Sequence, residues 1–143
     1  MSKHFAKAVW NGNLKDGNGK YTLRSSGFED AYTFNSRFED GKKSSPEELI
    51  GAALAACFSM ALANDLNKDG TNPESIETEA EVILKNTGAG FNITEITLTT
   101  KGRVKGIDQG KFVEAAEKTK ENCPVGKALK AVEIKVDAEL IGS

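Results

Sequence analysis

The chain has 143 residues and a formal net charge of −2, with 19 Lys and Arg residues against 21 Asp and Glu residues. This length predicts a single domain over residues 1–143, and the hydrophobic share of 38% and charged share of 28% are typical of a globular protein rather than a disordered one. The lysines are scattered along the chain, which argues against a nucleic-acid partner.

The predicted location is the cytoplasm. The first ten residues, MSKHFAKAVW, lack the apolar run and cleavage site of a signal peptide. The uncharged apolar stretch over residues 49–63 is shorter than the roughly 20 residues that a membrane span needs. We therefore expect no membrane association, and we expect thiols that are kept reduced.

The first part of the chain predicts three strands. They cover residues 5–10, 20–26 and 31–38. A turn rich in Asn, Gly and Asp separates the first two, and a turn at Gly27 separates the second from the third. In the third strand, alternation places Phe34, Ser36 and Phe38 on one face and Arg37 on the other.

A long central helix follows. Ser45 is the predicted N-cap, Pro46 the first helical residue, and Gly70 the residue that ends the helix. The helix is apolar on every side over residues 49–63, so it must be covered on all sides. The strands can cover one side, and a second copy of the chain would cover the other, which predicts an intimate homodimer.

The second half predicts a hairpin, two helices and a strand. Residues 75–85 and 91–104 form the hairpin, and imperfect alternation in its second strand suggests a bulge. Residues 108–121 form a helix. Pro124 cannot continue that helix and is predicted to begin a short second one. In the last strand, AVEIKVDAEL, apolar and charged residues alternate strictly, as in an antiparallel sheet with one buried and one solvent-exposed face. Three strands, a helix, two strands, two helices and a strand indicate the α+β class.

Few kinds of catalytic chemistry are available to this sequence. His4 is the only histidine and no Cys-x-x-Cys motif occurs, so neither a metal site nor a Cys–His pair is well supported. No glycine-rich nucleotide-binding motif precedes a helix, and GNGK at residues 17–20 is a turn. The two cysteines, Cys57 and Cys123, are the remaining candidates.

Each cysteine has two interpretations. Cys57, in the middle of the apolar helix, is either a small core residue or a reactive thiol activated by a nearby cation. Cys123, at the start of the short helix, is either a neutral N-cap or a thiol whose pKa is lowered by the helix end. That second reading favours Cys123 as the more reactive sulfur or as a good leaving group.

Arginine is rare, with three residues at positions 24, 37 and 103 against sixteen lysines. Arg37 is either a solvated strand residue or a cation that stabilises a thiolate and hydrogen-bonds a peroxide oxygen. Glu47 either complements the positive end of the helix or holds an arginine through a bidentate ion pair.

Two stretches resemble a known family. FNSRFEDGKKSSPEELIGAALAACFSMAL and, far downstream, ENCPVGKAL are similar to the osmotically inducible protein C and organic hydroperoxide resistance protein family. The likeness extends over nearly the whole chain and is greater to the osmotically inducible branch. It implies a swapped homodimer of β3-α-β2-α2-β subunits, with an antiparallel or mixed sheet and a buried central helix. One departure is Leu54, where relatives often carry a polar residue.

The resemblance implies a role for each candidate residue. Cys57 corresponds to the cysteine that attacks the peroxide, and Cys123 to the cysteine that resolves the sulfenic acid as a disulfide. Arg37 corresponds to the activating cation, and Glu47 to its carboxylate partner. The resemblance therefore assigns the attack to Cys57 rather than to the cysteine at the helix end.

The implied activity is a peroxidase without metal or haem. Its substrate is an organic hydroperoxide, held against apolar walls that include Leu49, Ala53 and Phe58. Its reductant is an external dithiol, by family analogy a dihydrolipoyl group on a protein. The alternative is a non-catalytic binding protein that holds an apolar ligand at the dimer seam, and a third reading is a stress-induced structural domain.

Overall fold

The computed structural model describes residues 1–142, in two compact units whose boundary in the sequence falls between Leu49 and Ile50. The elements are β1 Ala6–Asn11, β2 Asn18–Leu23, β3 Glu29–Tyr32, α1 Phe34–Phe38, α2 Pro46–Lys68, β4 Pro73–Asn86, β5 Phe91–Val104, α3 Gln109–Asn122, α4 Pro124–Ala128 and β6 Glu133–Gly142. The α+β class is confirmed. A single domain over residues 1–143 stays a prediction.

The first unit contains an antiparallel sheet in the order β1-β2-β3. The prediction that the third strand continues through residue 38 was wrong, because FNSRF forms the helix α1. Thr33 begins that helix through a capping box: its hydroxyl accepts from the Ser36 N–H, and the Ser36 hydroxyl accepts from the Thr33 N–H. The rings of Phe34 and Phe38 therefore lie one helical turn apart, with centroids separated by 4.9 Å.

The predicted ends of the central helix are confirmed. The Ser45 hydroxyl accepts a hydrogen bond of 3.1 Å from the Glu48 N–H at the start of α2. At the other end, Gly70 has a φ of 91°, a conformation that glycine adopts without steric cost. The N–H of the next residue, Thr71, donates to the carbonyl of Leu66 and satisfies one of the last carbonyls of the helix.

Within the described residues of the second unit, one face of α2 is buried. Leu54, Phe58, Leu62 and Leu66, spaced by four residues, are at most 1% exposed and form the core of the second unit. They pack with residues of the sheet and of α3, among them Ile96, Leu98 and Phe112. The opposite side, here called the exposed α2 face, consists of Ala52, Ala53, Ala56 and Met60.

By length and mean hydropathy, α2 would be long and apolar enough to cross a membrane, contrary to the expectation from its shorter uncharged run. Core helices of water-soluble proteins meet the same criterion. Leu54, Phe58 and Leu62 pack against the rest of the second unit, whereas the exposed α2 face does not.

The sheet of the second unit has the order β4-β5-β6 and mixed direction. β4 and β5 form the predicted antiparallel hairpin, and a register shift after Ile83 confirms the bulge. β6 alternates as predicted, but it pairs parallel to β5, so the expectation of an antiparallel sheet was wrong at this strand. The intervening α3 and α4 supply the long crossover that a parallel pair requires.

Candidate functional site

The two cysteines come together in the second unit. Cys57 lies in the middle of α2 and is half-buried, whereas Cys123 is 1% exposed. Both are free thiols. They approach closely enough for a hydrogen bond between the two side chains, which is one of the interactions that shift the pKa of Cys123. Two residues 66 positions apart in the sequence thus form one thiol pair.

Cys123 occupies the junction of two helices. Its backbone N–H donates to the Thr119 carbonyl at the end of α3, and its sulfur accepts from the Gly126 N–H at 3.3 Å in the first turn of α4. The sequence-predicted N-cap at Cys123 is therefore confirmed. Because φ and ψ of Cys123 are −68° and 141°, the residue is extended and ends one helix before it begins the next.

Gly126 is a residue of this site that sequence reasoning missed. A Cβ at this position would lie 3.0 Å from the Cys123 sulfur and 2.8 Å from the Lys120 carbonyl oxygen. Both separations are shorter than ordinary van der Waals contact, so only glycine lets the sulfur sit this close to the helix. The signal in the sequence was a glycine within a five-residue helix, a position that usually disfavours it.

The environment raises the pKa of Cys123 above its ordinary value. Burial is the largest cause, and the neighbouring Cys57 thiol adds to it. The N–H groups of Gly126 and Val125 act in the opposite direction but do not overcome the loss of water. The expectation that the helix end makes Cys123 a low-pKa thiol was therefore wrong.

The predicted charged pair is found in the first unit. The Arg37 Nε donates to the Glu47 Oε1 at 2.9 Å, and Glu47 is only 6% exposed. The other carboxylate oxygen, Oε2, is buried and has no hydrogen-bond partner within residues 1–142. The pair thus rests on one hydrogen bond, and the expectation of a bidentate pair was wrong. The guanidinium carbon lies 5.1 Å from the centre of the Phe38 ring.

Arg37 also lines an aromatic cavity of about 190 Å³ in the first unit. The other lining residues are Trp10, Leu14, Tyr32, Thr33, Phe34 and Phe38. The rings of Trp10 and Tyr32 have their centroids 5.4 Å apart. Sequence reasoning missed this cavity because it placed FNSRF on a strand, where Phe34 and Phe38 cannot flank Arg37 on one helical turn.

The predicted apolar wall beside Cys57 is only partly supported. Phe58 is 0% exposed and belongs to the core, so its assignment as a wall open to a substrate was wrong within this chain. Leu54, the residue that departs from the family pattern, is 1% exposed and also lies in the core. Leu49 is half-buried, and Ala53 is exposed.

The candidate residues thus form two pairs, Cys57 with Cys123 and Arg37 with Glu47, one in each unit. That Arg37 acts on Cys57 stays a prediction. His4 is exposed and its ring contacts the Ser2 hydroxyl at 3.1 Å. Within the described residues 1–142, no group of three or more His, Cys, Asp or Glu side chains is placed to hold a metal ion.

Sequence comparison relates this chain to a family of redox proteins. A family model described as OsmC-like protein matches residues 39–139. The peroxiredoxin OsmC of Escherichia coli strain K12 is 47% identical over 135 residues, which cover 94% of each chain. An organic hydroperoxide resistance protein-like 2 of Staphylococcus epidermidis is 30% identical over 69% of this chain and 70% of its own.

Solved structures share the fold. The organic hydroperoxide resistance protein OhrB of Bacillus subtilis superposes with a TM-score of 0.71 at 27% identity, covering 95% of this chain and 97% of its own. An OsmC-like protein of Mycoplasma pneumoniae superposes with a TM-score of 0.74 at 16% identity over 98% of each chain, a likeness of fold alone. The higher identity to the E. coli peroxiredoxin agrees with the resemblance to the osmotically inducible branch.

Proposed function

We propose that this chain, which belongs to the OsmC-like protein family, is a two-thiol peroxidase that reduces organic hydroperoxides to alcohols in oxidative or osmotic stress defence. The observation that carries the proposal is the pair of free thiols, Cys57 and Cys123, within hydrogen-bonding reach in one unit. Oxidation of two such thiols to a disulfide supplies the two electrons that reduction of a hydroperoxide to an alcohol requires.

In the first step, Cys57 attacks as a thiolate. Its sulfur bonds to the terminal oxygen of ROOH, the O–O bond breaks, and the alkoxide leaves and takes up a proton as the alcohol ROH. Cys57 becomes a sulfenic acid. The half-buried position of Cys57, against 1% exposure for Cys123, supports Cys57 as the sulfur that meets the substrate.

Arg37 supplies positive charge in this step. The N–H groups of its guanidinium stabilise the negative charge that develops on the leaving oxygen. We assign Glu47 the role of holding Arg37 in place. Its buried carboxylate accepts one hydrogen bond from the Arg37 Nε and thereby orients the guanidinium group. Arg37 is 41% exposed at its side chain, so a small substrate can reach it.

In the second step, Cys123 resolves the sulfenic acid. Its sulfur attacks the Cys57 sulfur, the S–O bond breaks, and hydroxide leaves and is protonated to water. An external dithiol then reduces the Cys57–Cys123 disulfide by thiol–disulfide exchange. A dihydrolipoyl group carried on a protein is the proposed donor, and the reaction uses no metal or haem.

The aromatic cavity of the first unit supports an organic hydroperoxide as substrate. Its volume of about 190 Å³ and its lining by Trp10, Tyr32 and Phe34 suit an apolar group, with Arg37 as the polar group that orients the peroxide end. Hydrogen peroxide has no apolar part to bury there. We expect cumene hydroperoxide to react faster than hydrogen peroxide for this reason.

The exposed α2 face supports the proposed homodimer, which we expect in the cytoplasm. Ala52, Ala53, Ala56 and Met60 form a continuous apolar stripe, and Met60 is 75% exposed. Burial of such a stripe against the same stripe of a second copy follows two-fold symmetry and removes apolar surface from water. A homodimer with this contact agrees with the two-copy arrangement that the family resemblance implies.

The test is stopped-flow consumption of one equivalent of cumene hydroperoxide by the reduced protein. Wild type should consume the peroxide and lose two thiols per chain. Cys57→Ser should be inactive, whereas Cys123→Ser should react once and stop at the sulfenic acid. A wild type that reacts no faster than a free thiol would contradict the proposal. If it then kept both thiols and bound cumyl alcohol saturably, the binding-protein alternative would hold.

A further inference from the structure

We propose that Asp65 and Thr119 are positioning residues that set the spacing of the two sulfurs for disulfide closure. The proposal rests on the two-thiol reaction above and adds two residues that the family pattern around the cysteines does not include. Asp65 lies on α2, the helix of Cys57, and Thr119 lies on α3, the helix that ends at Cys123.

A side-chain hydrogen bond joins the two helices. The Thr119 hydroxyl donates to the Asp65 Oδ2 at 2.9 Å, and Thr119 is 0% exposed. Burial of a hydroxyl without a hydrogen-bond partner destabilises the folded protein. A hydrogen bond to a carboxylate is stronger than one between two neutral groups. The length and burial of this bond make it a defined link between α2 and α3 rather than a loose surface contact.

The link is continuous with the backbone of Cys123. The carbonyl of Thr119 accepts the Cys123 N–H at 3.0 Å, so the residue that bonds to α2 also holds the resolving cysteine. Thr119 is one helical turn before Cys123, and Asp65 is about two turns after Cys57. The two cysteines and the Asp65–Thr119 bond therefore close a ring that limits how far the sulfurs can separate.

The consequence lies in the second chemical step. Closure joins the Cys57 and Cys123 sulfurs and releases hydroxide, so its rate depends on the approach of two groups held on separate helices. If closure slows, the Cys57 sulfenic acid persists. A second hydroperoxide can then transfer one more oxygen to give a sulfinic acid and another alcohol, which is irreversible without a dedicated reductase. The Asp65–Thr119 bond would thereby protect Cys57 from overoxidation.

The experiment compares Thr119→Val with wild type in a single turnover with one equivalent of cumene hydroperoxide. Valine keeps the shape of threonine and removes the hydroxyl. Peroxide consumption should stay within about twofold, because Cys57 attacks without Cys123, whereas disulfide closure should slow by about tenfold or more. Trapping with dimedone should then detect a longer-lived sulfenic acid, and excess peroxide should give more sulfinic acid by mass spectrometry.

Matched variants separate positioning from general loosening. Thr119→Ser keeps the hydroxyl and should restore closure. Thr100→Val removes an equally buried hydroxyl, which is hydrogen-bonded to Thr78 at 2.9 Å. Thr78 also accepts from Ser59 of α2, but this network does not reach α3, so disulfide closure in Thr100→Val should match wild type. Asp65→Ala removes the acceptor from a half-buried position and should repeat the effect of Thr119→Val. It provides the test if Thr119→Val fails to fold.

A second measurement does not depend on peroxide chemistry. Equilibration of each variant with dithiol buffers gives the reduction potential of the Cys57–Cys123 pair. Thr119→Val or Asp65→Ala should form the disulfide about tenfold less favourably, which corresponds to a potential about 30 mV less negative. Equal potentials, equal closure rates, or the same slowing in Thr100→Val would overturn the proposal. Failure of wild type to consume hydroperoxide would instead contradict the peroxidase function, and the potentials would still test the positioning role.

Discussion

The two units of this chain carry different halves of the proposed chemistry. The first holds a cation, Arg37, fixed by a buried carboxylate and bordered by aromatic rings. The second holds both thiols. Among the described residues, the pKa of Cys123 is shifted by burial, by backbone N–H groups and by the other thiol. None of these causes involves a cation. The second unit thus places the two thiols together, whereas in the proposed reaction the positive charge comes from Arg37 of the first unit.

The largest expected effect is on the rate of peroxide consumption when the positive charge of Arg37 is removed. Arg37→Met keeps a long apolar side chain and removes the charge. Loss of one preorganised donor to a developing oxyanion typically costs about 10²–10³-fold in rate, so the second-order constant for cumene hydroperoxide should fall by that factor. The reduction potential of the disulfide should remain close to that of wild type. Stopped-flow consumption and dithiol-buffer titration measure the two quantities.

A control for Arg37→Met is available in the same unit. Arg24 also lies over an aromatic ring, with its guanidinium carbon 4.3 Å from the centre of the Phe5 ring. Arg24→Met should leave the attack on peroxide unchanged. An equal loss of rate in both variants would indicate a general effect of charge, and no loss in Arg37→Met would show that the thiols of the second unit do not require this cation.

The next effect concerns the pH dependence of Cys123. Burial raises its pKa above the ordinary value of 9.0, so the thiol is protonated at neutral pH and its thiolate fraction increases by about tenfold per pH unit below that pKa. Closure by the thiolate should therefore accelerate with pH and should not level off below about pH 9. Single-turnover rates in a series of buffers measure this. A plateau near neutrality would mean that Cys123 is a low-pKa thiol after all.

The smallest effect concerns the packing of the thiol pair. Gly126→Ala places a Cβ against the Cys123 sulfur and the Lys120 carbonyl, which should cost about 1–3 kcal/mol of unfolding free energy as overpacking and slow disulfide closure. Gly110→Ala is the control, because its Cβ would meet only Asp108 at 3.4 Å and alanine favours the helix. Urea unfolding of both variants gives the comparison. If Gly126→Ala were as stable as Gly110→Ala, the close fit of Gly126 would be unimportant.

Local signals explain which parts of the fold were predicted. Ser45 and Gly70 delimit α2 because capping depends on groups within one turn of the helix end. Cys123 was recognised as an N-cap because Pro124 can only begin a helix there. The helix α1 was missed because the aromatic residues of FNSRF favour a strand, and a capping box at Thr33 outweighed that preference.

By itself, the sequence determined the α+β class, the order of the long elements and the identity of the two thiols, because residue type and periodicity are local properties. Only the tertiary structure decided that β6 pairs parallel to β5, that Glu47 holds Arg37 by one hydrogen bond, and that Thr119 bonds to Asp65. It also reversed the expected pKa direction of Cys123. That pKa depends on how much water the folded chain excludes from the sulfur, and residues distant in the sequence set that exclusion.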